Sequence, residues 1–234
     1  MPAHNIRVVT FDAEGTIWDF PTTMEEALAA SLETIRERYP EQSAALSTSD
    51  LIGHRREAQE AFKGQSITIE GLRFAGFMRT LDAIGVRDGR FARELTDAYT
   101  RRRFANARIF DDAAPALDAL KGQFRLGLLT NGNSYPELPG LQDYFDFELV
   151  AREHGVWKPE PEFYELAIQL AGVSPDQILH VGSCIDSDCI PARRAGMRAI
   201  WLNREGADPP RGRLTLAMIY SLVELSAFLG VQPD

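Results

Sequence analysis

Two acids, Asp12 and Glu14, follow the β-branched and apolar run IRVVTF (residues 6–11), and Gly15 comes directly after them. A carboxylate at the end of a strand can attack electrophilic phosphorus or carbon and form a covalent ester. An acid two residues further on can protonate a leaving group and later take a proton from water. Gly15 would let the chain turn tightly away from the strand. The same pair could equally be ordinary acids in a surface turn. The choice between these readings depends on what the rest of the chain places beside them.

Three more segments carry suitable groups, each after a strand-like run. Thr130 and Asn131 end FRLGLLT (124–130), Lys158 lies in the loop after FELV (147–150), and Ser183 to Asp188 follow ILHVG (178–182). A threonine hydroxyl and a neighbouring amide can hold anionic oxygens, and a lysine can neutralise charge beside a nucleophile. Asp186 and Asp188 are oxygen donors of the kind Mg²⁺ takes, although the position of Asp186 also suits an acid at a helix N-terminus.

These residues need a scaffold that brings distant segments together. Helical patterns at about 111–122, 160–172 and 186–196 alternate with the runs above and with RAIWLN (198–203), and Ser221 with Glu224 suggests a capping box on SLVELSAFL. Strands alternating with helices predict an α/β fold, a parallel sheet with helices on both faces. Ligands of such sheets bind beyond the carboxyl ends of the strands, which is where Asp12, Thr130, Lys158 and Asp188 fall. The long interval 22–104 is different. Leu28, Leu32, Ile35 and Tyr39, then Leu72, Phe77, Leu81 and Ile84, then Phe91, Leu95 and Tyr99 recur at helical steps with no strand between them. The expected organisation is a core of residues 1–20 and 105–234 with an inserted all-helical cap, 21–104, above the rim.

Composition narrows the classes of function. A formal net charge of −9 disfavours non-specific nucleic-acid binding. The basic group Arg101-Arg102-Arg103 and the trio His54, Arg55 and Arg56 read as solvated helix positions. No apolar run approaches the roughly 18–20 residues of a membrane span, and MPAHNIRVV does not resemble a secretory signal. The only cysteines, Cys184 and Cys189, suggest small packed side chains and a reducing cytoplasm, without a disulfide framework or zinc site. Trp18 reads as a packing residue.

FDAEGTIWD, LLTNGN, the lysine of WKPEPEFY and HVGSCIDSDCIPARRAGM resemble the four ordered motifs of the haloacid dehalogenase-like (HAD) hydrolase superfamily, over about two-thirds of the chain. The resemblance implies a Rossmann-like core with a helical cap and, in the phosphatase branch, an aspartyl-phosphate formed at Asp12. It implies Glu14 as the proton-transfer acid and Lys158 and Thr130 on the phosphoryl group, with Asn131 beside them. Mg²⁺ would be held by Asp12, the backbone carbonyl of Glu14, and Asp188. The segment NGNSYPELPGLQDYFDF is also similar to superfamily phosphatases acting on small phosphate esters, including sugar phosphates and flavin-related nucleotides. The expected partner is therefore a small phosphorylated substrate, with no nucleic acid and no membrane; no feature specifies an oligomeric state.

Two positions depart from the pattern. Glu14 stands where the motif usually has aspartate, and Ser183 stands where phosphatases have a metal-binding aspartate. Serine at that position, together with Ala13, is similar to the metal-free 2-haloacid dehalogenases, which place an aromatic at the position of Glu14. Two alternatives follow: a dehalogenase-like hydrolase, or a degenerate member that binds a phosphorylated ligand or partner without turnover.

Overall fold

Val8–Asp12 (β1) has no exposed side chain and forms an inner strand of a six-stranded parallel sheet. This computed structural model describes residues 5–62, 65, 67–132, 141, 143–208 and 216–231. Part of the segment 131–147 singled out above, residues 133–140 and 142, lies outside the described residues. The chain divides into two compact units, Met1–Asp19 with Arg108–Asp234, and Phe20–Ala107.

Among its described residues the helical unit holds four helices, α1 (Phe20–Arg38), α2 (Thr48–Ala61), α3 (Ile69–Ala83) and α4 (Gly89–Ala105). Leu28, Leu32, Ile35, Phe77, Leu81, Phe91, Leu95 and Tyr99 form its core, which are the positions the helical spacing picks out. Side chains mark the starts of three helices: Ser47 and Asp50 form a reciprocal capping box, Thr68 accepts from Gly71 N–H, and Asp88 from Phe91 N–H. The solvated reading holds for Arg56, Arg101 and Arg102, which are exposed, and fails for Arg103, which is buried. The Arg103 guanidinium lies 5.3 Å from the Phe20 ring centroid and 4.7 Å from that of Phe104. A guanidinium can stack on aromatic faces as an ammonium cannot, so a run of three arginines need not share one fate. His54 and Arg55 are half-buried, and His54 Nδ1 is 3.1 Å from the Thr80 hydroxyl.

In the other unit the strands β2 (Arg125–Thr130), β3 (Phe147–Val150), β4 (Ile178–Gly182), β5 (Arg198–Leu202) and β6 (Ala217–Ile219) complete the sheet in the order β3-β2-β1-β4-β5-β6. Every neighbouring pair is parallel. The helices are α5 (Ala113–Leu120), α6 (Ala151–His154), α7 (Pro161–Ala171), α8 (Ile190–Arg194) and α9 (Glu224–Leu229). The pleat sends alternate side chains to opposite faces. Val9 and Phe11 join Leu128, Val181, Leu117 of α5 and Leu225 of α9 in one cluster. Val8 joins Leu129, Ile178, Phe163 of α7 and Ala192 of α8 in the other. Burial on both faces explains why these strands are nearly continuous apolar runs.

Local details differ from the sequence expectation. The helix expected over 186–196 opens with a π-helical turn, Ile185–Cys189, before α8. Edge strand β6 was not anticipated, because three residues carry no period. Cys189 is buried but Cys184 is exposed, so only the former is a packed side chain. Half of the proposed capping box exists: Glu224 accepts from Ser221 N–H at 2.9 Å, while the Ser221 hydroxyl donates to Asp112 at 2.7 Å. Asp112 also accepts two bonds from Arg204, each 2.8 Å, and one from Leu222 N–H at 2.8 Å. Arg204 in turn donates to the Thr16 carbonyl at 2.9 Å, tying the loop after β1 to the chain beyond β5.

Burial opposes ionisation of Asp112, yet hydrogen bonds from Arg204 and Ser221 hold its pKa below the usual carboxylate value. Its stabilising effect is complete above the unfolded pKa, about 4, and is lost as pH falls through the lower folded value. Asp112→Asn is expected to cost about 1–3 kcal/mol at neutral pH. The gap from the parent protein should narrow as pH falls below about 4 in urea denaturation.

Candidate active site

The loop after β1 is fixed by one carbonyl and one glycine. The Ala13 carbonyl accepts from Thr16, Ile17 and Trp18 N–H groups at 3.3, 2.9 and 2.9 Å. Gly15 has φ +82°, and a Cβ there would lie 3.0 Å from Ser183 Oγ, so conformation and space both call for glycine. This turn aims Thr16 back at β1, where its hydroxyl donates to Asp12 Oδ2 at 3.0 Å. Trp18 is buried in the core of this unit, as a packing residue.

Lys158 holds the centre. Its ammonium donates to Asp12 Oδ1 at 2.6 Å, Asp188 Oδ1 at 2.8 Å and the Leu129 carbonyl at 3.1 Å, which uses all three protons. Lys158, Asp12 and Asp188 are only 5%, 6% and 1% exposed. Burial and the charge of Asp188 push Asp12 up to about 7, against the pull of Lys158. Burial works the same way on Asp188, but Lys158 holds that carboxyl well below the ordinary range. Burial disfavours the charged lysine, and the two carboxylates more than reverse this, so its pKa is raised.

Neighbouring groups position the trio. Asn131 accepts from Lys158 N–H at 2.7 Å and donates to the Lys158 carbonyl at 2.8 Å, a two-point clamp that engages both ends of its side-chain amide. The structure thus places Asn131 against the lysine's backbone. Asp188 Oδ2 accepts from Cys184 N–H at 2.9 Å, and the Tyr164 hydroxyl donates to the Ser187 carbonyl, bracing the π-helical turn. Such turns recur at functional sites. His180 is fully buried, with Nδ1 2.9 Å from the Thr10 hydroxyl and Nε2 3.8 Å from Asp188. Burial lowers the His180 pKa, favouring the neutral imidazole. Thr16, Tyr164 and His180 were missed from the sequence. Only Thr16 left a signal there, a hydroxyl in the turn four residues after Asp12.

Thr130 is buried at the end of β2, one residue beyond the partner of Asp12 in the sheet register. Its hydroxyl donates to Glu14 Oε2 at 2.8 Å and accepts from Gly132 N–H at 2.9 Å. Ser183 Oγ lies 3.4 Å from the Glu14 carbonyl, and Asp186 is exposed. Among the described residues no group of three or more His, Cys, Asp or Glu side chains is arranged to hold a metal. The site does offer two carboxylates, the Glu14 carbonyl and the Ser183 hydroxyl, and Mg²⁺ commonly takes one or two carboxylates and completes its shell with water.

A parallel α/β sheet with a buried, lysine-paired carboxylate at the end of its first strand is an arrangement suited to a hydrolase. Residues 6–196 match the family model described as haloacid dehalogenase-like hydrolase, and the chain belongs to that family. It is 32% identical over 212 residues to the 5-amino-6-(5-phospho-D-ribitylamino)uracil phosphatase YigB of Escherichia coli K12, covering 88% of this chain and 87% of that one. It is 25% identical to the human N-acylneuraminate-9-phosphatase, over 98% and 96% of the two chains. Among solved structures, a 2-haloacid dehalogenase from Pseudomonas syringae pv. Tomato DC3000 shares 30% identity at a TM-score of 0.71, over 96% and 98% of the chains. Magnesium-bound YfnB from Bacillus subtilis shares the fold at a TM-score of 0.82 and 22% identity, over 97% and 100%.

Replacing Lys158 by methionine leaves Asp12 and Asp188 facing each other without a counter-charge. The expected loss is about 3–5 kcal/mol at neutral pH. In the variant both folded pKa values rise above the unfolded ones, so the deficit is smallest below about pH 4 and grows as pH rises. Urea denaturation at several pH values measures it; a pH-independent deficit would show that the lysine acts only through packing.

Proposed function

We propose that the chain is a phosphatase acting on a small phosphate ester through an aspartyl-phosphate at Asp12. The observation that carries this reading is the Glu14 carboxyl group held 2.8 Å from the Thr130 hydroxyl, on the loop that bears Asp12. An alkoxide leaving group needs a proton and a halide does not, so an acid there serves phosphate-ester cleavage and has no task in dehalogenation. The likeness to YigB and to the human N-acylneuraminate-9-phosphatase, both phosphatases by name, supports the same reading.

In the proposed reaction an Asp12 oxygen attacks phosphorus, the bond from phosphorus to the ester oxygen breaks, and Glu14 gives that oxygen a proton. Glu14 then takes a proton from water, whose oxygen attacks phosphorus, releasing orthophosphate and restoring Asp12. Lys158 offsets charge around the nucleophile, and Thr130 donates to a phosphoryl oxygen. Asn131 acts here by holding the lysine loop. Asp12, the Glu14 carbonyl and Asp188 fit Mg²⁺ as ligands, and the ion would neutralise phosphoryl charge; Ser183 leaves the site one carboxylate poorer and its affinity weaker. The helical unit Phe20–Ala107 is proposed as the cap that selects the substrate. No helix among the described residues is long and apolar enough to cross a membrane. A cytoplasmic setting is part of the same reading, supported by two free cysteines.

Ser183 is the observation that favours a second reading, a metal-free dehalogenase. Purified protein is expected to hydrolyse an aryl phosphate in the presence of Mg²⁺, and Asp12→Asn to reduce the rate to background. Chelator-resistant halide release from short 2-haloacids would establish the second reading instead. Thermal stabilisation by phosphate esters with no turnover would mark a binding protein.

A further inference from the structure

We propose that Glu14 occupies the phosphoryl seat of its own active site at rest, so that an incoming phosphate must displace it before catalysis. The inference rests on the phosphatase reading and adds a self-inhibiting contact to it. A threonine hydroxyl has one proton to donate. The proton of Thr130 is committed to Glu14 Oε2, and its acceptor side takes the Gly132 N–H. The hydroxyl therefore cannot serve a phosphoryl oxygen while Glu14 stays. The other carboxylate oxygen, Oε1, lies within 1.9 Å of where a Cβ on Gly132 would fall, so the carboxylate fills the space beside that α-carbon. A two-oxygen anion lodged on the anion-binding hydroxyl imitates two oxygens of a phosphoryl group.

The length of the side chain matters. A carboxylate shorter by one methylene, on the same fixed loop, falls short of Thr130 by roughly one C–C bond, about 1.5 Å. Glutamate thus adds a competing state: substrate binds only the fraction of molecules in which Glu14 has swung away, and apparent affinity falls by that fraction. The swing also frees the acid to turn toward the leaving-group oxygen. Phosphoryl binding and arming of the acid become one event.

The test is calorimetric titration with inorganic phosphate at fixed Mg²⁺, using the whole chain. Glu14→Asp keeps the charge and loses the reach, so it should bind phosphate at least about tenfold more tightly, as expected when one charge-assisted hydrogen bond stops competing. Glu14→Ala should gain at least as much. Adding Thr130→Val to either variant should abolish the gain, which separates occupancy of the seat from simple removal of negative charge. Equal or weaker phosphate binding by Glu14→Asp overturns the proposal, as does a gain that survives Thr130→Val. If the unaltered protein hydrolyses phosphate esters while Glu14→Asp shows no gain, the self-blocking contact is wrong and the phosphatase reading stands. Absence of both turnover and phosphate binding in every variant removes both.

Discussion

The arrangement depends on one ammonium group and its three acceptors. Lys158 joins the end of β1 through Asp12, the end of β2 through the Leu129 carbonyl, and the turn after β4 through Asp188. Two nearly buried carboxylates could not both remain ionised side by side in a low-dielectric interior without it. The lysine settles their charge and also fixes the spacing of three strand ends, since its protons are all used. Its own backbone is fastened by Asn131, at the end of β2, so the lysine loop and the strand it serves are held as one piece.

The sequence made the sheet legible because parallel strands buried on both faces are apolar throughout, and the convergence of their ends follows from topology. Asp12 and Thr130 could be named because each is a polar residue closing an apolar run, and Lys158 and Asp188 because they lie in the segments that follow the next two runs. What escaped notice depends on which partner a side chain chooses. Ser221 has the spacing of a capping box, yet its hydroxyl serves Asp112, a half-buried acid more than a hundred residues away in sequence that no local pattern connects to it. Asn131 looks like a ligand for an anion and is engaged by a backbone. Arg103 sits in a charged run and is buried against aromatic rings. In each case local chemistry permitted two partners and tertiary packing chose between them.

Family membership leaves the reaction open, because phosphatase and dehalogenase relatives lie at nearly the same distance, 32% and 30% identity. Both reactions begin with a carboxylate attacking an electrophile, so the nucleophile and its lysine cannot distinguish them. The leaving group can. A halide departs as a stable anion, whereas a sugar or nucleoside oxygen departs as a strong base that an acid must meet. The discriminating feature is therefore what stands two residues past Asp12, and here it is a carboxyl group with polar neighbours. Ser183 favours the metal-free reading only through the cation, since a hydroxyl is a poorer Mg²⁺ ligand than a carboxylate.

Glu14 thus links the chemistry to its main constraint. In the proposed reaction the carboxyl group supplies the acid that phosphate-ester cleavage requires, and its length lets the group reach Thr130. An acid that rests on the hydroxyl proposed to serve the substrate also stands in the substrate's way. On the proposed reading substrate and acid compete for one proton donor, while hydrogen bonds to the Ala13 carbonyl, the Gly15 turn and Arg204 fasten the backbone of the loop that carries Asp12 and Glu14. Rotation of the Glu14 side chain resolves that competition. Its energetic cost falls on substrate binding first, because the phosphoryl group must regain from Thr130 and Lys158 at least what the Glu14–Thr130 contact gives up.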